Sequence, residues 1–274
     1  MKKKKLKFNS IITLITCIML IIIIVFSGYK ITMWFVENKK IADLEKKINN
    51  SVTIEEIPDT EETVIVEPEY GIAKEDPYWD YIQINLMDVD FNKLKKTNKS
   101  TKGWLYVSGT NINYPFVQHS DNKFYLNHSF DKKYNTAGWV FADYRNSLDG
   151  NDKNTILYAH GRLDNSMFGS LRNIVTNDWY NNTDNHIIKT STENENTLWQ
   201  VFSVYKIKTT NDYIQTDFYS EEEYLAFLKK LLKRSKFNFH TNVDENDKIL
   251  TLSTCYDDDY KVVLHAKLIK KEKK

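Results

Sequence analysis

The chain has 274 residues, enough for one substantial domain plus appendages. Its 38 Lys and Arg against 37 Asp and Glu leave a formal net charge of +1, so no broad basic field points to nucleic acid. The aromatic share of 14%, with 17 Tyr and 14 Phe, suits a β-dominated core, and the only four arginines are Arg145, Arg162, Arg172 and Arg234.

Met1 to Lys7 is a basic cluster, and Ile11 to Phe26 is almost wholly apolar. The stretch from Ile11 to Tyr29 has about the length needed to cross a bilayer as a helix. No small-x-small cleavage pattern follows Phe26, since Ser27-Gly28-Tyr29-Lys30 matches it poorly, so the segment reads as an uncleaved signal anchor. The dense basic cluster puts the N-terminus in the cytoplasm and everything after Lys30 outside, despite Lys39, Lys40, Lys46 and Lys47 on the far side. The expected topology is a single-pass cell-membrane protein with an extracellular main domain.

Ile31, Phe35, Ile41, Leu44 and Ile48 have helical spacing and predict a juxtamembrane helix from Ile31 to Asn50. Ser51 to Tyr70 carries Glu55, Glu56, Asp59, Glu61, Glu62, Glu67 and Glu69 with Pro58 and Pro68, which predicts a solvated, extended linker. The expected organisation is thus a tail over 1–10, a span over 11–29, a juxtamembrane helix and linker over 30–73, and a main domain over 74–274. Trp79 to Leu94 fits a helix with Leu86, Val89 and Phe91 as its apolar side. From Gly103 short strands follow: Trp104–Val107, Ile112–Val117, Trp139–Ala142, Thr155–His160, Ile187–Thr190, Leu198–Ile207, Lys248–Cys255 and Val262–Ile269. Turn signals separate them at Ser108-Gly109, Leu148 to Asp152 and Glu193 to Asn196, a pattern of barrels and sandwiches. One helix interrupts the strands: Ser220 with Glu223 fits a capping box, an acidic first turn follows, and Tyr224, Leu225, Phe227, Leu228, Leu231 and Leu232 supply an apolar face. It is either one wall of a site or a packed appendage, and spacing does not decide which.

Cys255 closes a strand and opens the polar turn Tyr256-Asp257-Asp258-Asp259. A thiol at a strand end suits a nucleophile; the alternative is a small buried hydrophobe. The other cysteine, Cys17, lies in the membrane segment, so Cys255 is an unpaired thiol in the extracytoplasmic part, which favours a use for it. His160 also ends a strand and is followed by Gly161, and two such strand ends are what a Cys/His site needs. His119, His128, His186 and His240 sit in polar surroundings and read as surface residues, and His265 as a core or face residue of the last strand. No metal-ligand spacing, glycine-rich phosphate loop or other cofactor signature is present in the sequence.

Thr251-Leu252-Ser253-Thr254-Cys255 resembles the Thr-Leu-x-Thr-Cys signature of sortases, the membrane-anchored cysteine transpeptidases of Gram-positive bacteria. The resemblance runs from about Trp79 to Ile269 and is to class B in particular. It is carried by Gly109 to Pro115, Asp121 to Leu126, Ala137-Gly138, Asp143 to Asn146, Tyr158 to Gly161, Ser166 to Gly169 and the helical stretch from Glu221 to Phe237. The resemblance implies a closed β-barrel of about eight strands, with N-terminal helices and a helix inserted before the last two strands. It also implies a reaction. Cys255 would attack a carbonyl in the C-terminal sorting motif of a secreted protein, of Asn-Pro or Ser-Pro type, and a peptidoglycan-precursor amine would resolve the thioester. His160 would act as acid and base. Asn122, Leu126, Tyr158, Tyr213, Ile214, Ser253 and Thr254 would line the peptide groove, and Asp257 resembles an aspartate proposed to orient the histidine. The resemblance implies no cofactor; calcium, used by some other sortase classes, has no supporting acidic cluster.

One position departs from the pattern. Where sortases carry an arginine at the start of the last strand, this chain has Lys261, which keeps the charge and loses the planar fork. Three outcomes follow: Lys261 does the work, Arg162 or Arg234 reaches in, or the protein is weak or inactive. The alternatives to a transpeptidase are accordingly a thiol peptidase that mainly hydrolyses and a non-catalytic peptide-binding barrel.

Overall fold

The computed structural model describes residues 8–67, 71–72, 74, 76–255 and 259–274. It divides into two units, one ending at Leu44 and one from Glu45 to Lys274.

The expected span and juxtamembrane helix are one continuous helix, α1, Phe8–Asn49. Ile11, Leu14, Ile18, Ile22 and Val25 are all exposed, so the first half of this helix is apolar on every side, whereas Ile41 and Ile48 in its charged second half are buried. It is long and apolar enough to cross a membrane. The hydroxyls of Thr16 and Thr32 donate back to the carbonyls of Ile12 (3.0 Å) and Gly28 (2.9 Å), which removes their cost in an apolar setting.

The stretch after α1 is more ordered than a solvated linker. It forms β1, Ile54–Ile57, and β2, Val64–Ile65. The acidic side chains find buried lysines of the main domain: Lys189 reaches Glu56 at 2.7 Å, and the fully buried Lys270 reaches Asp59 at 2.5 Å. Those partners lie more than a hundred residues away, so local composition gives no sign of them. The helix expected over Trp79 to Leu94 is also broken up, into α2 (Tyr78–Tyr81), the strand β3 (Leu86–Val89) and α3 (Asn92–Thr97). Leu86 to Val89 pairs antiparallel with β1, and Tyr78, Tyr81, Ile82 and Leu86 pack with Ile187, Leu198 and Ile269. The short apolar run satisfies either period, and a strand partner decided it.

The remaining strands are β4 (Thr101–Val107), β5 (Asn113–Gln118), β6 (Phe141–Ala142), β7 (Asn154–His160), β8 (Ile187–Thr192), β9 (Glu195–Lys208), β10 (Ile249–Cys255) and β11 (Tyr260–Lys273), with a short helix α4 (Asn177–Asn181) before β8. Their order is β10-β7-β6-β5-β4-β8-β9-β11, with β2 added beyond β11, and pairing of β10 with β11 closes the ring. The result is an eight-stranded closed barrel, which leaves no open edge among these eight. Trp104, Phe116, Leu157, Phe202 and Leu252 are among its buried residues. The strand expected over Trp139–Ala142 is reduced to two residues, because Trp139 instead anchors a loop through its indole N–H to the Pro115 carbonyl (2.8 Å). Gly138 in that loop has φ +61°, and a Cβ there would meet the Tyr125 carbonyl at 2.5 Å, so glycine is required.

The inserted helix is α5, Glu221–Arg234. Ser220 caps it by accepting from the Glu223 amide (3.2 Å), while the Glu223 carboxylate accepts from the Tyr219 amide (2.7 Å). Tyr224, Phe227, Leu228 and Leu231 bury its apolar face against Phe202, Tyr205, Tyr213, Ile249 and Val263.

Candidate active site

Three neighbouring strands bring the sequence candidates together. β7 and β10 run parallel with Cys255 paired to His160, and β10 and β11 run antiparallel with Cys255 paired to Lys261. The three backbones therefore occupy one rung across three strands, each about 5 Å from the next. Cys255 and Lys261, six positions apart in sequence, are directly paired. Two rungs down the same strands, Tyr158 is paired to Ser253. Asp257 lies outside the described residues.

A cleft of about 230 Å³ opens beside this rung. Its lining includes His160, Lys261, Asn122, Leu126, Tyr158, Tyr213, Ile214, Ser253 and Thr254, all of them marked by the sequence. Phe141, Ala159, Thr210 and Asn211 also line it and were not singled out. Phe141 lies in a run that reads only as strand, Ala159 sits between the singled-out Tyr158 and His160, and Thr210 and Asn211 lie in the loop that α5 braces at Asp212. The walls are mixed, with apolar Leu126, Phe141 and Ile214 facing hydroxyl and amide groups, which suits a short peptide better than a charged ligand.

His160 Nε2 lies 2.7 Å from the Leu126 carbonyl oxygen. A carbonyl only accepts, so Nε2 carries the hydrogen and Nδ1 is the basic nitrogen of the neutral ring. The other histidines are placed elsewhere. His119 and His128 stack on the two faces of Phe124. His240 is exposed. His186 is buried, contrary to the surface expectation, because its ring packs between Tyr180 and Phe239 and donates from Nε2 to the Tyr180 carbonyl (2.9 Å). His265 is in the core, as expected, and burial pulls its pKa down to about 3. Thr251 donates to Asn154 Oδ1 (2.7 Å), so His265 Nδ1 donates to the Thr251 hydroxyl (2.9 Å) and Nε2 accepts from Tyr205 (2.8 Å). Both ring nitrogens are committed, and His265 is no base for the cleft.

The arginine alternatives are committed too. Arg162 binds Ser166 (2.9 Å) and Asp164 (3.0 Å). Arg234 grips both oxygens of Asp212 (2.9 and 2.5 Å) and holds that carboxyl down to about 2. Neither lines the cleft; among its described lining residues the cation is Lys261. α5 forms no wall of the cleft; it braces the 209–220 loop, whose Tyr213 and Ile214 do, through Arg234 and through Lys230 bonded to the Asp212 carbonyl (2.7 Å).

Beneath the cleft lies a charged pair without an assigned role in the sequence. The Asp143 side chain is fully buried and forked by Arg145. Burial pushes this carboxyl upward, but the Arg145 guanidinium, the Arg145 amide and the Tyr158 hydroxyl outweigh it and hold it below the usual carboxylate range. The signal was the Asp-Tyr-Arg-Asn run itself, where two opposite charges stand two apart beside buried strands. Among the described residues no group of three or more His, Cys, Asp or Glu is arranged to hold a metal ion.

The comparisons with known proteins agree with this geometry. Residues 105–269 match the family described as Sortase domain. The chain is 32% identical over 270 residues to sortase B of Staphylococcus aureus, covering 97% of this chain and 99% of that one. It is 34% identical over 186 residues to sortase B of Listeria monocytogenes, covering 66% and 75%. Among solved structures it resembles a Bacillus anthracis protein similar to sortase B, with a TM-score of 0.66 and 33% identity over 86% of this chain and 97% of that one. It also resembles an S. aureus sortase B–substrate complex, with a TM-score of 0.62 and 38% identity over 66% and 84%. The chain belongs to the sortase family, in class B, the cysteine transpeptidases that anchor proteins to the cell wall.

Proposed function

We propose that Cys255, His160 and Lys261 carry the transpeptidation, and that the peptide is held by Asn122, Leu126, Tyr158, Tyr213, Ile214, Ser253 and Thr254. The observation that carries this reading is the single rung shared by His160, Cys255 and Lys261 at the edge of the cleft. In the first half-reaction the Cys255 thiolate adds to the scissile carbonyl. Lys261 compensates the charge growing on the carbonyl oxygen. The tetrahedral adduct collapses, the C–N bond breaks, and protonated His160 gives its proton to the leaving amine, leaving a thioester. In the second half-reaction an acceptor amine adds to the thioester carbon, His160 takes its proton, and the C–S bond breaks to restore the thiolate.

A sorting motif of Asn-Pro or Ser-Pro type in secreted proteins is the proposed donor, and a peptidoglycan-precursor amine the acceptor. A solved sortase B is complexed with triglycine, which supports an oligoglycine-type amine. The helix α1 anchors the protein as a single-pass span with a cytoplasmic N-terminus and the barrel outside, in keeping with the exposed apolar surface of its first half. The test is incubation of the full chain in detergent with sorting peptides, with and without triglycine. A new peptide bond to triglycine, and a covalent adduct lost in Cys255→Ala, are the expected results. Free acid as the sole product in excess triglycine would overturn transfer, and absence of any adduct would overturn the chemistry.

A further inference from the structure

Asn122, Tyr158 and Ile214 line the cleft from three separate segments, and one ion pair, a buried carboxylate with a partly exposed guanidinium, touches all three. Asp143 follows β6, and its side chain is fully buried. Its Oδ1 accepts from the Arg145 amide (3.0 Å) and Arg145 Nε (2.9 Å). Its Oδ2 accepts from Arg145 Nη2 (2.7 Å), the Tyr158 hydroxyl (2.9 Å) and Asn122 Nδ2 (3.0 Å). With five donors the carboxylate is fully engaged. The Asn122 amide is fixed from its other end as well, since Oδ1 accepts from the Tyr144 amide (3.0 Å). Arg145 Nη2 then donates onward to the Ile214 carbonyl (2.9 Å).

The loop that contains Ile214 is held at four successive residues. Arg234 and Lys230 hold Asp212, Ser253 meets the Tyr213 hydroxyl (2.9 Å), Arg145 takes the Ile214 carbonyl, and Asn154 takes the Gln215 carbonyl (2.9 Å). Of these anchors, Arg145 alone ties the loop to the same carboxylate that orients Asn122 and Tyr158. Neither Asp143 nor Arg145 lines the cleft. We infer that Asp143 and Arg145 are positioning residues that set the spacing of the peptide cleft, holding Asn122, Tyr158 and Ile214 through one buried carboxylate and the guanidinium that forks it.

This inference rests on the reading of the cleft as the peptide site, and its test separates the two. Arg145→Lys keeps the charge beside Asp143 but loses the fork and its reach to Ile214. In the full chain in detergent, with a fluorogenic Asn-Pro-type peptide as probe, KM should rise roughly 10- to 100-fold, the scale of a lost charge-assisted hydrogen bond. The value of kcat should stay within about threefold, since the rung of Cys255 is untouched. Alkylation of Cys255 by iodoacetamide should keep the parent rate. Amide hydrogen exchange should quicken in residues 211–215 and not in β7. The neutral pair Asp143→Asn with Arg145→Gln leaves no unpaired buried charge, so it tests the same point where the single variant does not fold. Parent-like KM and exchange in either folded variant would overturn the inference. A proportional fall of kcat, alkylation rate and melting temperature would overturn it too, by showing a general structural role. Should the parent not turn over the peptide, the function proposed above fails, and the exchange pattern still decides the role of Arg145.

Discussion

Lys261 stands where the family pattern leads one to expect an arginine, and in the proposed mechanism it compensates the developing charge. An arginine offers a planar pair of donors to an oxyanion, whereas a lysine offers one mobile ammonium. The backbone of Lys261 in β11 is paired directly with that of Cys255, and Arg162 and Arg234 are engaged elsewhere, which supports Lys261 for this role in the proposed mechanism. Lys261→Ala should lower kcat/KM by about a hundred- to a thousand-fold, the usual effect of losing an oxyanion-site donor. Lys261→Arg should retain or exceed parent activity; steady-state kinetics on both variants measures this. Asp143 makes a second residue-level case. Its folded pKa lies below the unfolded value, so its contribution is complete above the unfolded pKa and disappears as pH falls through the folded one. Asp143→Asn should therefore destabilise by about 1–3 kcal/mol near neutrality, because the buried acceptor loses its charge-assisted bonds, while the partly exposed Arg145 is left to solvent. That deficit should begin to shrink below about pH 4, where the unfolded chain's carboxyl protonates, and close only as pH falls through the lower folded pKa. Urea denaturation from pH 3 to 7 reads both limbs.

At the scale of elements, α5 explains how a helix outside the cleft governs its wall. Its apolar stripe is spaced for one buried face, and its basic end carries the side chains that hold Asp212. Leu231→Ala, at a fully buried position, should cost about 2–5 kcal/mol by cavity formation. Activity per folded molecule should change little, since Leu231 is not part of the lining. Thermal melting together with active-site titration separates the two effects. The rung of β7, β10 and β11 shows the complementary point: two strand ends far apart in sequence become adjacent only because β10 inserts between β7 and β11.

For the whole molecule, the acidic stretch after α1 matters more than a linker would. β2 pairs with β11, and Asp59 covers the fully buried ammonium of Lys270. Asp59→Ala should cost about 1–2 kcal/mol, a buried-pair effect discounted because Asp59 is itself half-exposed. It should also speed proteolysis within residues 51–67, which a time course resolved by mass spectrometry would show. Unchanged cleavage there would mean that the stretch is held by its backbone pairing alone.

Much of this protein is determined locally. An unbroken apolar run sets the character of the first half of α1, alternation and turn residues set the barrel strands, and Ser220 with its acidic first turn starts α5 where the cap requires. Cys255 and His160 were legible as candidates because reactive side chains at strand ends stand out against apolar runs, and the barrel places their backbones on one rung. Tertiary structure decided what depends on partners distant in the chain. It made Leu86 to Val89 a strand by supplying β1, gave Glu56 and Asp59 buried lysines, and drew His186 inward among aromatic rings. It also made Asp143 and Arg145 a junction of three segments. A hydrogen bond or ion pair needs two groups in reach, and a linear pattern shows one of them at a time.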